Sequence, residues 1–110
     1  MNDELHTKLI NNYPNLYSRC KHISCMDGWY DLIDELSSKL EPLGVVAMQV
    51  KEKFGGLRFY IGPGTDEAFD LIEEAERKSV HICEKCGQPG EQRNTGWVKT
   101  LCDECDKNNS

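Results

Sequence analysis

No stretch of this chain approaches the roughly twenty consecutive apolar residues that a membrane-spanning helix needs. Its start, Met1-Asn2-Asp3-Glu4-Leu5, carries neither a basic leader region nor an apolar run. A cytoplasmic location is therefore expected, where thiols stay reduced. Bases are in the minority: 13 against 19 acids leave a formal charge of −6. Such a surface repels phosphate, which argues against non-specific nucleic-acid binding and for a partner with a basic surface. Catalytic patterns are missing as well. There is no His-Glu-x-x-His, and no His-x-Glu ahead of a Pro-Cys-x-x-Cys pair, since Pro89 follows Cys86. Ser18, Ser24, Ser37, Ser38 and Ser79 stand in no nucleophile-elbow context. Gly55-Gly56 lacks the Lys-Ser/Thr that completes a phosphate loop. Internal repeats and low-complexity linkers are absent. With 38% hydrophobic and 29% charged residues over 110 positions, the composition is that of one modest globular domain. A core of that size would gain from a metal staple.

The cysteines supply one. Cys83-Glu84-Lys85-Cys86 and Cys102-Asp103-Glu104-Cys105 are separated by fifteen residues. Two Cys-x-x-Cys pairs at this distance are the spacing of a four-cysteine zinc site. Each pair bends into a knuckle offering two sulfurs, and a hairpin between them completes a tetrahedron. Gly87, Gly90 and Gly96 permit the turns, and Trp97-Val98-Lys99-Thr100-Leu101 reads as the returning strand. Two disulfides or a redox dithiol are the competing readings, and a reducing compartment disfavours the first. One structural Zn2+ on Cys83, Cys86, Cys102 and Cys105 is expected, and four bound thiolates would take the formal charge to −8. Cys20, His22 and Cys25 form a candidate second metal cluster, with His81 or His6 as the fourth ligand. Its alternative is a pair of packed, reduced thiols beside an exposed histidine.

Ahead of the zinc module, hydrophobic spacing predicts three helices and a hairpin. Residues 3–12 form the first helix, capped by Asp3, with Leu5, Leu9 and Ile10 as its apolar stripe and His6 on the surface. Pro14 ends it, and residues 16–26 read as an irregular connector. The second helix, about 27–41, is capped by Asp27 and buries Trp29, Leu32, Ile33, Leu36 and Leu40. A β-hairpin over about 45–61 turns at Phe54-Gly55-Gly56. Its packed face is Val46, Met48, Val50, Leu57, Phe59 and Ile61, and its other face shows Lys51, Lys53, Arg58 and Tyr60. The third helix, about 66–80, is capped by Thr65 or Asp66 and has Phe69, Ile72 and Ala75 as its apolar edge, with Leu71 beside it. Asp66, Glu67, Asp70, Glu73, Glu74 and Glu76 line its outer side. Six acids in eleven residues exceed what the helix dipole asks for. A negative ridge imitates a row of phosphates, so Glu67, Asp70, Glu73 and Glu74 are the candidate partner-binding residues. The tail, 106–110, is expected to fray.

The strings Asp27-Gly28-Trp29, Gln49-Val50-Lys51-Glu52-Lys53-Phe54-Gly55-Gly56-Leu57-Arg58-Phe59-Tyr60, Cys83-x-x-Cys86-Gly87 and Gly96-Trp97-Val98-Lys99-Thr100-Leu101-Cys102 resemble a family of small zinc-ribbon-like proteins of bacteria and their phages. The resemblance covers roughly residues 25–105. It implies Cys83, Cys86, Cys102 and Cys105 as ligands and no enzymatic role. In size, acidity and zinc the chain is also similar to phage-encoded anti-CRISPR proteins, some of which are small, acidic metalloproteins that bind Cas9 and block its nucleic-acid loading. The expected fold is α+β: helices packed on a short antiparallel β-hairpin over residues 1–80, with a C-terminal four-cysteine zinc ribbon over 81–106 packed on that core. The expected function is a non-catalytic zinc-binding protein-interaction module. A phage-type inhibitor of a nucleic-acid-handling enzyme such as Cas9 is the leading form of it. Two alternatives stand beside it: a nucleic-acid-binding zinc ribbon using Lys51, Lys53, Arg58, Tyr60 and Lys99, and a structural subunit of a phage or host assembly.

Overall fold

The computed structural model describes residues 1–108 and has an α+β fold, with four helices and five strands among the described residues. In chain order these are α1 (Asp3–Asn12), β1 (Ile23–Ser24), α2 (Tyr30–Leu40), β2 (Ala47–Lys53), β3 (Gly56–Ile61), α3 (Asp66–Ser79), β4 (Glu91–Thr95), β5 (Trp97–Leu101) and α4 (Asp103–Asn108). Short 3₁₀ turns, Asp27–Trp29 and Glu41–Leu43, bracket α2. Two sheets form: β1-β2-β3, and the separate hairpin β4-β5.

The caps differ from expectation at two of three helices. Asn2, not Asp3, caps α1, its side-chain oxygen accepting from the Leu5 N–H at 2.9 Å. Asp3 falls in the first turn, where its charge still suits the helix dipole. Asp27 does not cap α2. Its carboxylate accepts from the Asn2 N–H (2.7 Å) and the Asn2 amide (3.1 Å), tying the chain's start to the entry of α2. Thr65 caps α3 as expected, accepting from the Ala68 N–H.

The connector over 16–26 is less irregular than its composition suggests. Leu16 and Tyr17 are fully buried. The Tyr17 hydroxyl shares a hydrogen bond with Ser37 Oγ at 2.7 Å, and its ring meets Phe59 edge-on. Ile23 and Ser24 then pair parallel with Val50 and Lys51, adding a third strand. Two residues carry too little periodicity to be read as a strand.

The β2–β3 hairpin forms, but its packed face is shifted at the start. Ala47 pairs with Ile61 while Gln49 pairs with Tyr60, so Met48 is an extra residue, a bulge. Val45 and Ala47 therefore point into the core in place of Val46 and Met48, and Met48 is 52% exposed. Beyond the bulge the alternation is as expected, with Val50, Leu57 and Phe59 buried. In α3 the buried stripe is Ala68, Ile72, Ala75 and Ser79. Phe69, one residue off that stripe, is 48% exposed.

Helix α3 also covers the open edge of the sheet. The N–H groups of Leu57 and Phe59 point away from β2. Ser79 Oγ accepts from Leu57 and Glu76 Oε2 from Phe59, each at 2.9 Å. Side chains thus satisfy an edge that would otherwise recruit another strand. Glu76 is consequently not part of the outer acidic side. Residues 103–108 are helical, so the tail up to Asn108 is not frayed, and Asn109 and Ser110 lie outside the described residues.

Candidate metal centre

The chain enters the zinc module through an isolated bridge between Ile82 and Pro89. Inside it, the Gly87 N–H returns to the Cys83 carbonyl (2.9 Å) and the Cys83 N–H to the Gln88 carbonyl (2.7 Å). Gly87 sits at φ +85°, a conformation that costs a side-chain-bearing residue energy, which is why the first knuckle ends in glycine. Strands β4 and β5 form a regular hairpin from Glu91↔Leu101 to Thr95↔Trp97. The second knuckle opens α4: Asp106 N–H bonds the Cys102 carbonyl (2.9 Å), and Cys105 N–H points at Cys102 Sγ (3.4 Å).

This folding brings the Sγ atoms of Cys83, Cys86, Cys102 and Cys105 within 4.8 Å of one another. Cys86 and Cys102 are 3.6 Å apart. Four sulfurs around one Zn2+ at about 2.3 Å stand about 3.8 Å from each other. A disulfide would need about 2.05 Å. Four thiols at such a separation suit one zinc ion and no bonded sulfur pair, so the site can hold one Zn2+. With all four ligands from the protein, the coordination is closed, as in structural sites. Burial would raise the Cys83 thiol, but the backbone N–H groups of Cys102, Cys86 and Lys85 hold it down at about 7. The hydrogen bond with Cys102, and then burial, push Cys105 up to about 12. The Cys83 thiolate therefore forms readily, whereas a bound zinc would have to displace the proton from Cys105.

The ribbon is seated on the core by specific contacts. Trp29, fully buried, donates its indole N–H to the Ile82 carbonyl at 2.9 Å. The Gly28 N–H donates to the Glu84 carbonyl at 2.6 Å. A Cβ on Gly28 would stand 2.1 Å from the Cys83 oxygen and 2.5 Å from that of Glu84, so only glycine allows the first knuckle to close on the core. Glu84 itself is buried. Its Oε2 accepts from the Met26 N–H (3.2 Å), and its Oε1 lies 3.7 Å from the Lys99 ammonium. Burial pushes this carboxyl up, partly offset by Lys99. Lys99 also pairs with Glu52 at 3.4 Å. The Thr100 hydroxyl donates to the Gly55 carbonyl and the Gln92 amide to the Phe54 carbonyl. The Asp27-Gly28-Trp29 and Phe54-Gly55-Gly56 strings therefore meet the ribbon from two sides of the core.

The remaining sequence candidates are distributed as follows. Cys20 and Cys25 are buried in the hydrophobic core. Cys20 Sγ donates to the His22 carbonyl, and the His22 side chain is exposed. Among the described residues, the four-cysteine cluster is the one group of three or more such ligands brought together. His6 is half-buried, its ring 6.5 Å from that of His22, and His81 is exposed. Glu67, Asp70, Glu73 and Glu74 are all exposed on α3. Glu73 pairs with Arg77 and Glu74 with Lys78. Lys51, Lys53, Arg58 and Tyr60 share the solvent face of the hairpin, but Lys99 is turned inward to its two glutamates. Sequence reasoning missed Glu84 and Gly28 as seating residues. Glycine beside the buried Trp29 was the available signal for the second; nothing distinguishes Glu84 from a solvated knuckle residue. No helix of the described chain is long and apolar enough to cross a membrane. No family model, curated protein or solved structure matches this chain.

Proposed function

We propose that this chain is a zinc-stapled binding module that acts without catalysis, presenting the outer face of α3 to a basic protein surface. The observation that carries this reading is Phe69. It is 48% exposed on a helix whose other large apolar side chains turn inward, and Asp66, Glu67, Asp70 and Glu73 surround it in sequence. An aromatic ring ringed by charge is the pattern of an interface anchor with an electrostatic rim. The acidic character is concentrated in the first half of the helix. Glu67 and Asp70 have no basic partner among the described residues, while Glu73 and Glu74 hold exposed, weak ion pairs that a partner can displace. The closed metal site supports the non-catalytic part of the reading, because it leaves no coordination position for substrate.

A basic groove built for nucleic acid is the natural counterpart of such a face. The resemblance to anti-CRISPR proteins makes Cas9 the leading candidate, with occupation of its nucleic-acid channel as the mechanism. The test is affinity capture of purified Cas9, and of basic proteins from a nuclease-treated lysate, by the zinc-loaded chain. Phe69→Ala is expected to weaken capture about thirtyfold or more. Glu67→Lys with Asp70→Lys should abolish it, with zinc content and circular dichroism unchanged. Undiminished capture by both variants would remove α3 as the interface.

A further inference from the structure

Trp97 is 73% exposed and Phe54 66%, the highest exposures among the large hydrophobic side chains. They flank a cleft of about 400 Å³ between the β2–β3 turn and the ribbon hairpin, with Lys53 and Val98 on its walls. Phe54 adopts φ +54°, a left-handed conformation that strains a residue bearing a side chain. A glycine would relieve that strain, yet an aromatic occupies the position and points outward. Strain kept at an exposed ring suggests a use for the ring.

The adjoining solvent face of the hairpin adds charge. Lys51 lies directly opposite Arg58 in the ladder, a like-charge pairing that weakens a sheet. None of Lys51, Lys53 and Arg58 is paired with a carboxylate among the described residues. Lys53 holds its ammonium 5.5 Å from the centre of the Phe54 ring. Tyr60, 45% exposed, follows Arg58 by two residues on the same face. One carboxylate, Glu52, lines the cleft, and it is already held by the Lys99 ammonium at 3.4 Å and by the Gly55 N–H at 2.8 Å. Val50, Leu57 and Phe59 on the opposite face are buried, and α3 packs against β3.

We propose that this face and cleft bind single-stranded nucleic acid, its bases stacking on Trp97, Phe54 and Tyr60 and its phosphates pairing with Lys51, Lys53 and Arg58. Unpaired bases stack on exposed rings while a cationic track follows the backbone, and one ligand class uses both. An acidic peptide would engage the cations and leave the rings in water. A proline-rich peptide would engage the rings and leave the cations opposed. The site is separate from the outer face of α3 and goes beyond the protein-binding reading.

The test uses the full, zinc-loaded chain and fluorescein-labelled oligo-dT and oligo-U of about a dozen nucleotides, read by anisotropy at low salt. Trp29 is fully buried, so quenching of indole emission reports stacking on Trp97. Binding is expected with quenching, and with a slope of log affinity against log salt near −2 for three phosphates. Trp97→Ala should weaken it about tenfold. Phe54→Gly should weaken it similarly while leaving or raising stability, since glycine accepts the positive φ. Lys51→Glu with Arg58→Glu should weaken it more than tenfold and flatten the salt dependence. Glu67→Lys with Asp70→Lys should not weaken it, which separates this site from the α3 interface. Three results would each overturn the proposal: no binding at low salt, binding that Trp97→Ala leaves intact, or a cleft that takes acidic or proline-rich peptides in place of oligonucleotides.

Discussion

Six cysteines occupy two opposite environments in this chain. Cys20 and Cys25 sit among Leu16, Ile23 and Trp29 in the main core, where they behave as small hydrophobes. Burial pushes the Cys25 thiol up to about 12, so it stays protonated and inert. The other four face one another at the ribbon, where only Cys83 is buried. The two regions differ in the same way. The core holds nineteen buried apolar residues, whereas beyond residue 80 the buried side chains described are Cys83, Glu84, Thr100 and Leu101. Apolar burial can hold the first region; four side chains, one of them a carboxylate, cannot hold the second. The ribbon's order is therefore expected to rest on a bound metal and on its seat against the core.

Zinc removal should therefore divide the molecule, and it is the largest effect expected. Apparent zinc-binding free energies of structural modules are about 10–16 kcal/mol, and that energy is folding energy. A strong chelator, or Cys83→Ser with Cys102→Ser, should take the metal content from one equivalent to none. Amide protection in β4 and β5 should vanish while α2, α3 and β2–β3 keep theirs. Native mass spectrometry and hydrogen exchange read both. Parallel loss in the core would mean that the regions form one cooperative unit. The seat is tested next by Gly28→Ala. Its Cβ would overlap the backbone of Cys83 and Glu84, so a loss of about 3 kcal/mol is expected. Zinc content should stay at one equivalent, because the substitution leaves the ligands alone. An unchanged thermal midpoint would mean that the knuckle does not close on Gly28.

What could be read from the sequence follows how local each feature is. The four-cysteine cluster, the returning strand and α3 to within a residue depend on short-range spacing, and the structure forms each of them as expected. The features that were not legible are made by distant partners. Strand β1 exists because Ile23 and Ser24 meet β2, not because their own composition asks for a strand. The bulge at Met48 is set by pairing with Tyr60 and Ile61. Glu76 reads as one more acid on a charged helix until β3 places the Phe59 N–H beside it. Glu84 looks like a solvated residue between two cysteines, yet it is buried against Met26 and Lys99. Polar residues on core and ribbon alike are assigned by sheet edges and seats that only the assembled chain provides.

The edge contacts sharpen the contrast on the core side. Ser79→Ala or Glu76→Ala would leave the Leu57 or Phe59 N–H without its acceptor, at a cost of about 1–3 kcal/mol each. Urea unfolding should show that loss, and zinc affinity should be unchanged, since both contacts lie within the core. A fall in zinc affinity would mean that core and ribbon stability are linked through α3.

The smallest effect at neutral pH belongs to the buried thiol, and it has a definite sign. The Cys25 thiol is raised from an ordinary 9.0 to about 12, by burial first, with the Met1 ammonium pulling the other way. A raised folded value means that the unfolded chain gives up its proton first. The stabilisation is complete below pH 9 and is lost as pH climbs from about 9 toward 12, by about 1.4 kcal/mol at pH 10. Cys25→Val keeps the apolar contact and removes the titration. The difference between the two chains in urea midpoint should therefore open between pH 8 and pH 10, with the variant declining less. Alkylation gives the matching kinetic readout. After chelation at pH 9, iodoacetamide should modify Cys83, Cys86, Cys102 and Cys105 while Cys20 and Cys25 remain protected by the folded core. Cys25 modified as fast as Cys86 would place it outside the core, and the two classes of cysteine would collapse into one.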